Sequence, residues 1–185
     1  MLLFVNGWPE WLYRPMWFLQ LAGVIVTGPI AAVVAAVLRR YRLAVALISA
    51  TGLKIWLESV VKIVVKRQRP GVLEPDVILR GNVAHSGLSF VSGHAILVFA
   101  MAAVISPYLR GRWKAVPWTI AGLNLLARLY LGAHFPLDLI GGAGLGFFIG
   151  EGLNFVLGVP ATEDAIVIEE ATKSAAGRRD VPETL

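Results

Sequence analysis

Apolar residues in this chain are gathered into five long runs, and this pattern constrains the fold more than any other feature. The runs cover residues 16–38, 43–65, 92–109, 116–131 and 136–157. Stretches of about 20 apolar residues are typical of helices that cross a bilayer. The chain is 57% hydrophobic and only 16% charged, with a mean hydropathy of +0.70, which is too little charge for a soluble domain. We therefore predict an all-α, polytopic membrane helix bundle with five transmembrane helices.

The rest of the chain divides around these runs. Residues 1–15 carry Trp8, Trp11 and Arg14, a composition typical of a segment at the membrane interface. Residues 16–158 form the predicted transmembrane domain, and Pro29 is expected to kink its first helix. Residues 159–185 are polar with mixed charges, which predicts a solvated, disordered tail.

Charge and cysteine usage restrict the function. The net charge is +5, and basic turns at 39–42 and 110–114 follow the first and third runs. The positive-inside rule makes these turns cytoplasmic, which places the 66–91 loop on the outer side. In such a chain basic residues mark cytoplasmic loops or contacts to phosphate headgroups, so we expect no nucleic-acid partner. There is no cysteine, which excludes a disulfide framework and a thiolate metal site.

Three charged residues lie inside the second run at four-residue spacing. Lys54, Glu58 and Lys62 therefore share one helical face, which must look into the bundle or a wet cavity. We interpret Lys54 and Glu58 as a buried ion pair that holds helices together. In the last run, three glycines recur at the same spacing and predict close helix packing without chemistry: Gly142, Gly146 and Gly150.

Polar residues from three separate stretches are predicted to meet at the outer face. They are Lys62 and Arg69, Ser92-Gly93-His94, and Arg128, His134 and Asp138. Three cations beside the amides of a helix N-terminus suit phosphate and its trigonal transition state. Two histidines allow one to act as nucleophile and the other as general acid. A carboxylate that accepts one imidazole N–H would fix the tautomer, and Asp138 lies four residues after His134.

Three motifs in these stretches carry a resemblance to a known family. The first is Lys62, six residues, then Arg69-Pro70; the second is Ser92-Gly93-His94; the third is Arg128, five residues, His134, three residues, Asp138. Together they resemble the type 2 phosphatidic acid phosphatases of the acid phosphatase/vanadium haloperoxidase superfamily. Val91 stands where that family has proline, and Ala127 stands where it has serine.

The resemblance implies a role for each matched residue. His134 would be the nucleophile that forms a phosphohistidine, Asp138 its orienting partner, and His94 the acid that protonates the leaving oxygen. The phosphate would be bound by Lys62, Arg69, Ser92, Gly93 and Arg128. The family requires no metal or other cofactor. It usually has six spans, so the five counted here imply either a branch without the first helix or one part of a longer polypeptide.

The expected function is therefore a membrane-embedded, metal-independent lipid phosphatase or diphosphatase. The family's breadth puts a polyprenyl (di)phosphate first as substrate, followed by phosphatidic acid and phosphatidylglycerol phosphate. The expected location is the plasma membrane of a bacterium, with the site facing outward and the C-terminal tail cytoplasmic. In the outer loop we expect a solvent-exposed His85, and either substrate steering or interface anchoring by three basic residues: Lys66, Arg67 and Arg80.

Other functional classes remain open at this stage. A non-catalytic module that binds a lipid phosphate within a larger lipid-handling protein would use the same cations. A vanadate-dependent peroxidase would share the anion cradle, although the hydrophobic spans argue against it. A channel or transporter is disfavoured, because the charges gather at one face and do not line a path through the membrane.

Overall fold

The computed structural model of the protein describes residues 1–158, and this part of the chain is helical and contains no β-strand. Its α-helices are α1 (Leu2–Asn6), α2 (Tyr13–Gln20), α3 (Thr27–Val37), α4 (Tyr41–Val65), α5 (Pro70–Leu73), α6 (Gly93–Ile105), α7 (Ala115–Tyr130) and α8 (Pro136–Leu157). The all-α prediction is confirmed. The predicted tail at 159–185 lies outside the described residues.

All five apolar runs contain helix, but the helices differ in length. Within the described residues, α4 and α8 are long and apolar enough to cross a membrane, and a bent pair adds a third crossing if it counts as one span. α6 has 13 residues and α7 has 16. A helix of 16 residues rises about 24 Å, less than the hydrocarbon core of roughly 30 Å. Five crossings therefore stay a prediction.

The first predicted span is two helical segments, Glu10–Gly23 and Thr27–Val37, which meet at 66°. The break is stabilised by partners for the carbonyls that it frees. Asn124 on α7 donates to the Leu19 and Gln20 carbonyls at 3.0 and 3.2 Å. The expected kink at Pro29 is wrong, because Pro29 lies in the first turn of α3, where a proline removes no helical hydrogen bond.

α6 lies at the centre of the bundle. Ten of its 13 residues are buried, and it packs against α4, α7 and α8. Its residues between Ala95 and Ile105 are all apolar, so burial on every side suits this helix. The start of α6 is thereby held in place among the ends of the three neighbouring helices.

The glycine stripe of α8 is the surface that lets α6 approach. A β-carbon at Gly146 would overlap the backbone of Ile96, and one at Gly150 would overlap Ala103. A β-carbon at Gly142 would overlap the Ser92 carbonyl. These three positions therefore set the distance between α8 and α6, as the spacing predicts.

The connection at 66–91 is anchored by Arg80, which is buried. Its Nη1 donates to the carbonyls of Asn6 and Tyr130 at 2.7 and 2.9 Å, and its guanidinium lies 4.3 Å from the centre of the Tyr130 ring. Glu10 accepts a further bond from its Nε at 3.0 Å. Arg80 thus ties the connection to α1 and α7, and its burial excludes substrate steering, one of the two roles left open for it.

Substituting Gly146 by alanine should destabilise the bundle, because the added methyl group meets the Ile96 backbone, which cannot rotate away. Overpacking of this kind costs about 1–3 kcal/mol. The measurement is the thermal unfolding midpoint of the purified protein in detergent, which should fall.

The matched control is Gly144→Ala on the same helix, where a β-carbon would meet nothing within 4 Å. Alanine is the better helix former by roughly 0.5–1 kcal/mol, so this midpoint should rise slightly. Equal midpoints for the two variants would contradict the packing account.

Candidate active site

Three chain segments meet where α4 ends, α6 begins and α7 passes to α8. The main-chain N–H of Ser92 donates to the Asp138 carbonyl at 3.0 Å, which joins the starts of α6 and α8. Arg69, just after α4, donates from Nη1 to the Ala133 carbonyl at 3.2 Å. The eight predicted site residues are thereby brought to one end of the bundle.

A serine stands between the predicted nucleophile and its carboxylate. Ser89 Oγ donates to Asp138 Oδ2 at 2.5 Å and lies 3.3 Å from His134 Nδ1. The direct distance from His134 Nδ1 to Asp138 Oδ2 is 3.7 Å, which exceeds a hydrogen bond. The expected direct bond from imidazole to carboxylate is therefore replaced by a contact through the Ser89 hydroxyl.

This arrangement determines the tautomer of His134. The single hydroxyl proton of Ser89 is donated to Asp138, so Ser89 Oγ is left to accept from His134. Nδ1 therefore carries the ring proton, and Nε2 keeps its lone pair. An imidazole held in this way presents one free basic nitrogen in a fixed direction.

Burial also favours the neutral ring. His134 is 2% exposed. Burial lowers the pKa of His134 to about 4, and the charges of Arg128 and Arg69 act in the same direction, while Asp138 opposes the shift. At neutral pH the imidazole is uncharged, which is the state that a nucleophile requires.

Asp138 is held by donors from three directions. Its carboxylate is fully buried. Besides Ser89, the main-chain N–H of Phe135 donates to Oδ2 at 2.9 Å. Arg67 donates to Oδ1 at 3.2 Å, and its guanidinium stacks 4.5 Å from the centre of the Phe135 ring. Arg67 is therefore a counter-ion of Asp138, whereas Lys66 and His85 are exposed.

Two arginines retain donors with no acceptor. Arg128 is buried, and its Nη1 donates to Gln20 Oε1 at 2.6 Å. Within residues 1–158, the buried Nε atoms of Arg69 and Arg128 have no hydrogen-bond partner. An unsatisfied buried donor costs about 1–3 kcal/mol. An anion bound between the two guanidinium groups would supply the missing acceptors.

The predicted lysine is engaged by a carboxylate of its own helix. Lys62 Nζ lies 2.5 Å from Glu58 Oε1, and Lys54 Nζ lies 2.7 Å from Glu58 Oε2. All three residues belong to α4. The predicted buried Lys54–Glu58 ion pair is present, but both members belong to α4, so the pair closes within one helix and does not itself join two.

The start of α6 supplies the remaining predicted residues. Ser92 is fully buried and caps the helix, since its Oγ accepts from the Ala95 N–H at 3.5 Å. His94 lies in the first turn beneath the break in the first span, where a β-carbon at Gly23 would overlap its ring. Because the Ser92 N–H donates to the Asp138 carbonyl, the turn of α6 that carries His94 adjoins the start of α8, where His134 and Asp138 lie.

Both departures from the family motif are buried and apolar. Val91 is 3% exposed and Ala127 is fully buried. Val91 packs in the core with Ala50, Ile96 and Ile149. Within the described residues, no three His, Asp or Glu side chains are grouped so that they could hold a metal ion.

Sequence reasoning missed four residues of this site: Gln20, Glu58, Arg67 and Ser89. Gln20 had a signal, because it interrupts an otherwise apolar run. The sequence predicts Glu58 only as part of a structural ion pair, and Arg67 only as a charge for either substrate steering or interface anchoring. Ser89 had no signal, because serines are common in polar connections and its partners lie 45 and 49 residues away.

Comparison with known proteins assigns this chain to a family. Residues 43–154, which include all eight predicted site residues, match the PAP2 superfamily. The chain belongs to the PAP2 superfamily. The family resemblance carried by the three motifs is thereby confirmed.

Curated relatives within the superfamily are lipid phosphatases. The chain is 30% identical over 167 residues to the lipid A 4'-phosphatase of Bacteroides thetaiotaomicron, covering 81% of this chain and 72% of the relative. It is 31% identical over 62 residues to the lipid A 4'-phosphatase of Porphyromonas gingivalis, covering 33% and 26%.

Solved structures agree with the fold. LpxE of Aquifex aeolicus superposes with a TM-score of 0.76 at 26% identity, covering 82% of this chain and 91% of that chain. A PAP2-type phosphatidylglycerolphosphate phosphatase of Bacillus subtilis gives a TM-score of 0.64 at 23% identity, covering 80% and 78%. This PAP2 protein is an integral membrane lipid phosphatase.

Replacing Ser89 by alanine should lower kcat by about 10²-fold with little change in KM. The substitution removes the acceptor for His134 Nδ1–H, and Asp138 is too far away to replace it. The measurement is lipid phosphate release across a pH series. In the wild type, kcat/KM should fall as the pH drops through about 4, where His134 becomes protonated.

Ser59→Ala is the control, because Ser59 is exposed and bonds only to a carbonyl of its own helix. It should behave as wild type. A Ser89→Ala enzyme with undiminished kcat would exclude the bridge through the hydroxyl.

Proposed function

We propose that the site hydrolyses a lipid phosphate through a phosphohistidine at His134. The observation that carries this proposal is the state of that ring: it is buried and neutral, its Nδ1 is bound through Ser89, and its Nε2 has no hydrogen-bond partner among residues 1–158. A fixed, uncharged imidazole beside cations with unfilled donors is equipped to attack phosphorus.

The reaction has two displacements. His134 Nε2 attacks phosphorus, the bond from phosphorus to the lipid oxygen breaks, and His94 gives its proton to the departing oxygen. Water then attacks the phosphohistidine, loses a proton to His94, and releases inorganic phosphate with a regenerated His134. His134, His94 and water supply the nucleophiles and carry the protons of both displacements, so we propose that the reaction is independent of metal ions.

The proposed phosphate ligands are called the clamp: Lys62, Arg69, Ser92, Gly93 and Arg128. The clamp would act mainly on the transition state. Phosphoryl transfer spreads charge over three equatorial oxygens. Donors from Arg69 and Arg128 are available for these oxygens, since their Nε atoms have no other acceptor among residues 1–158. Lys62, the Ser92 hydroxyl and the Gly93 amide complete the proposed phosphate ligands.

For the substrate, we propose a lipid phosphomonoester, with a phosphorylated glycolipid of the lipid A type first. This order rests on the names of the two curated relatives, which are both lipid A 4'-phosphatases. Polyprenyl (di)phosphate, which the sequence ranked first, follows, and phosphatidic acid and phosphatidylglycerol phosphate come after it.

We further propose that the site faces outward from a bacterial plasma membrane. The basic turns at 39–42 and 110–114 lie between helix ends opposite to the site, which is the arrangement that the positive-inside rule favours for cytoplasmic turns. Residues 1–15 would then lie at the outer interface and the C-terminal tail in the cytoplasm.

The test is phosphate release by the purified protein in detergent with EDTA present, from a panel of these four lipid classes. Wild type should act on at least one of them, and His134→Ala should lower kcat by about 10³-fold or more, because no other group supplies the nucleophile.

The chain has three histidines, and the third provides the control. His85 is exposed, so His85→Ala should retain wild-type activity. Full activity in His134→Ala, or loss of wild-type activity with EDTA, would overturn the mechanism.

A further inference from the structure

A carboxylate lies among the cations that are predicted to bind phosphate. Glu58 contacts Lys62 at 2.5 Å and Lys54 at 2.7 Å, one oxygen for each lysine. The three side chains are only 12–20% exposed. No motif assigns Lys54 or Glu58 a part in the chemistry.

The same carboxylate lies against one more of the predicted phosphate ligands, Gly93, and its charge acts on another, Arg69. A β-carbon at Gly93 would collide with the Glu58 carboxyl group, so this group lies directly on the backbone of the first turn of α6. Its charge also acts on Arg69: burial lowers the pKa of Arg69, and Glu58 opposes that shift. Glu58 thus contacts Lys62 and the Gly93 backbone, within electrostatic range of Arg69, at a helix N-terminus that favours an anion.

The position of the Glu58 carboxylate weakens the binding of any anion that enters the site. Two ammonium groups and one carboxylate leave this part of the site with a single net positive charge. An incoming phosphate must share Lys62 with Glu58 and tolerate a like charge at close range, which weakens its binding.

This weakening affects the substrate and the product differently. A lipid phosphate is held at the site by its hydrocarbon chains and by confinement to the bilayer, in addition to the clamp. Inorganic phosphate has only the clamp. A clamp of reduced affinity therefore still takes phosphate that is attached to a lipid, but binds free phosphate weakly and releases it readily.

We propose that Glu58 is a specificity-determining residue that makes the site select phosphate attached to a lipid over free inorganic phosphate. Lys54 is a positioning residue for Glu58, because its ammonium group binds one carboxylate oxygen and leaves the other oxygen for Lys62. This inference rests on the proposed function of the site, and it adds a negative group to a set that otherwise attracts anions.

A purely structural role makes a different prediction. If the two ion pairs only allow lysines to reside in an apolar helix, removing either Glu58 or Lys54 should damage the site in the same direction. A counter-ion role requires opposite effects, because one substitution removes the negative charge and the other leaves it on Lys62 alone.

The experiment measures the affinity of inorganic phosphate by calorimetric titration of the purified full chain in detergent, which needs no turnover. Glu58→Gln should bind phosphate about tenfold more tightly than wild type, from the loss of one neighbouring like charge. Lys54→Met should bind it several-fold more weakly. Glu58→Asp, which keeps the charge, should resemble wild type, and Glu151→Gln, on an exposed part of α8, should be unchanged.

In activity assays, Glu58→Gln should also become more sensitive to inhibition by added phosphate. Equal or weaker phosphate binding in Glu58→Gln with intact helix content would overturn the proposal, as would weaker binding in both variants. If Glu58→Gln fails to fold, unchanged or tighter binding in Lys54→Met overturns it. Failure of the wild type to hydrolyse any lipid would refute the proposed function but leave these relative affinities measurable.

Discussion

The active-site region depends on the burial of one carboxylate. Asp138 is inaccessible to solvent, and a buried carboxylate without partners would be strongly destabilising. Its oxygens accept from Ser89, Arg67 and the Phe135 N–H, and its main-chain carbonyl accepts from Ser92. These donors come from the 66–91 connection, the start of α6 that follows it, and the start of α8. Satisfying one group therefore fixes the connection and the start of α6 against the start of α8, with Asp138 49 residues from Ser89 and 71 from Arg67.

The arginines of this region differ in how many of their donor atoms have a hydrogen-bond partner. Arg80 is fully occupied by carbonyls, a carboxylate and a ring, and it serves the fold. Arg69 and Arg128 are held by one bond each and keep an unpartnered Nε in the described part of the chain. Saturated cations act as anchors, whereas unsaturated ones are available to a ligand. The arginines that keep an unpartnered Nε are therefore the ones that we propose as phosphate ligands.

The helices and the predicted site residues were accessible from sequence because both depend on local rules. Apolar runs predict helices, and alternating chain direction brings the ends of alternate helices to one face. The break between Gly23 and Thr27 was not predictable, because it depends on Asn124, which lies about a hundred residues away and binds the freed carbonyls. Ser89 was missed for a similar reason. Its role is created by long-range contacts, and its surroundings in the sequence carry no periodic signal.

If His134 carries the phosphoryl group during turnover, the phosphoenzyme can be trapped and the modified residue identified. Wild-type protein would be mixed with a lipid phosphate that it hydrolyses, quenched rapidly in base, digested, and analysed by mass spectrometry. The account predicts one phosphoryl group on His134, formed and lost at rates compatible with turnover. A phosphoryl group on His94 or another residue, or turnover with no phosphoenzyme at any time, would contradict it.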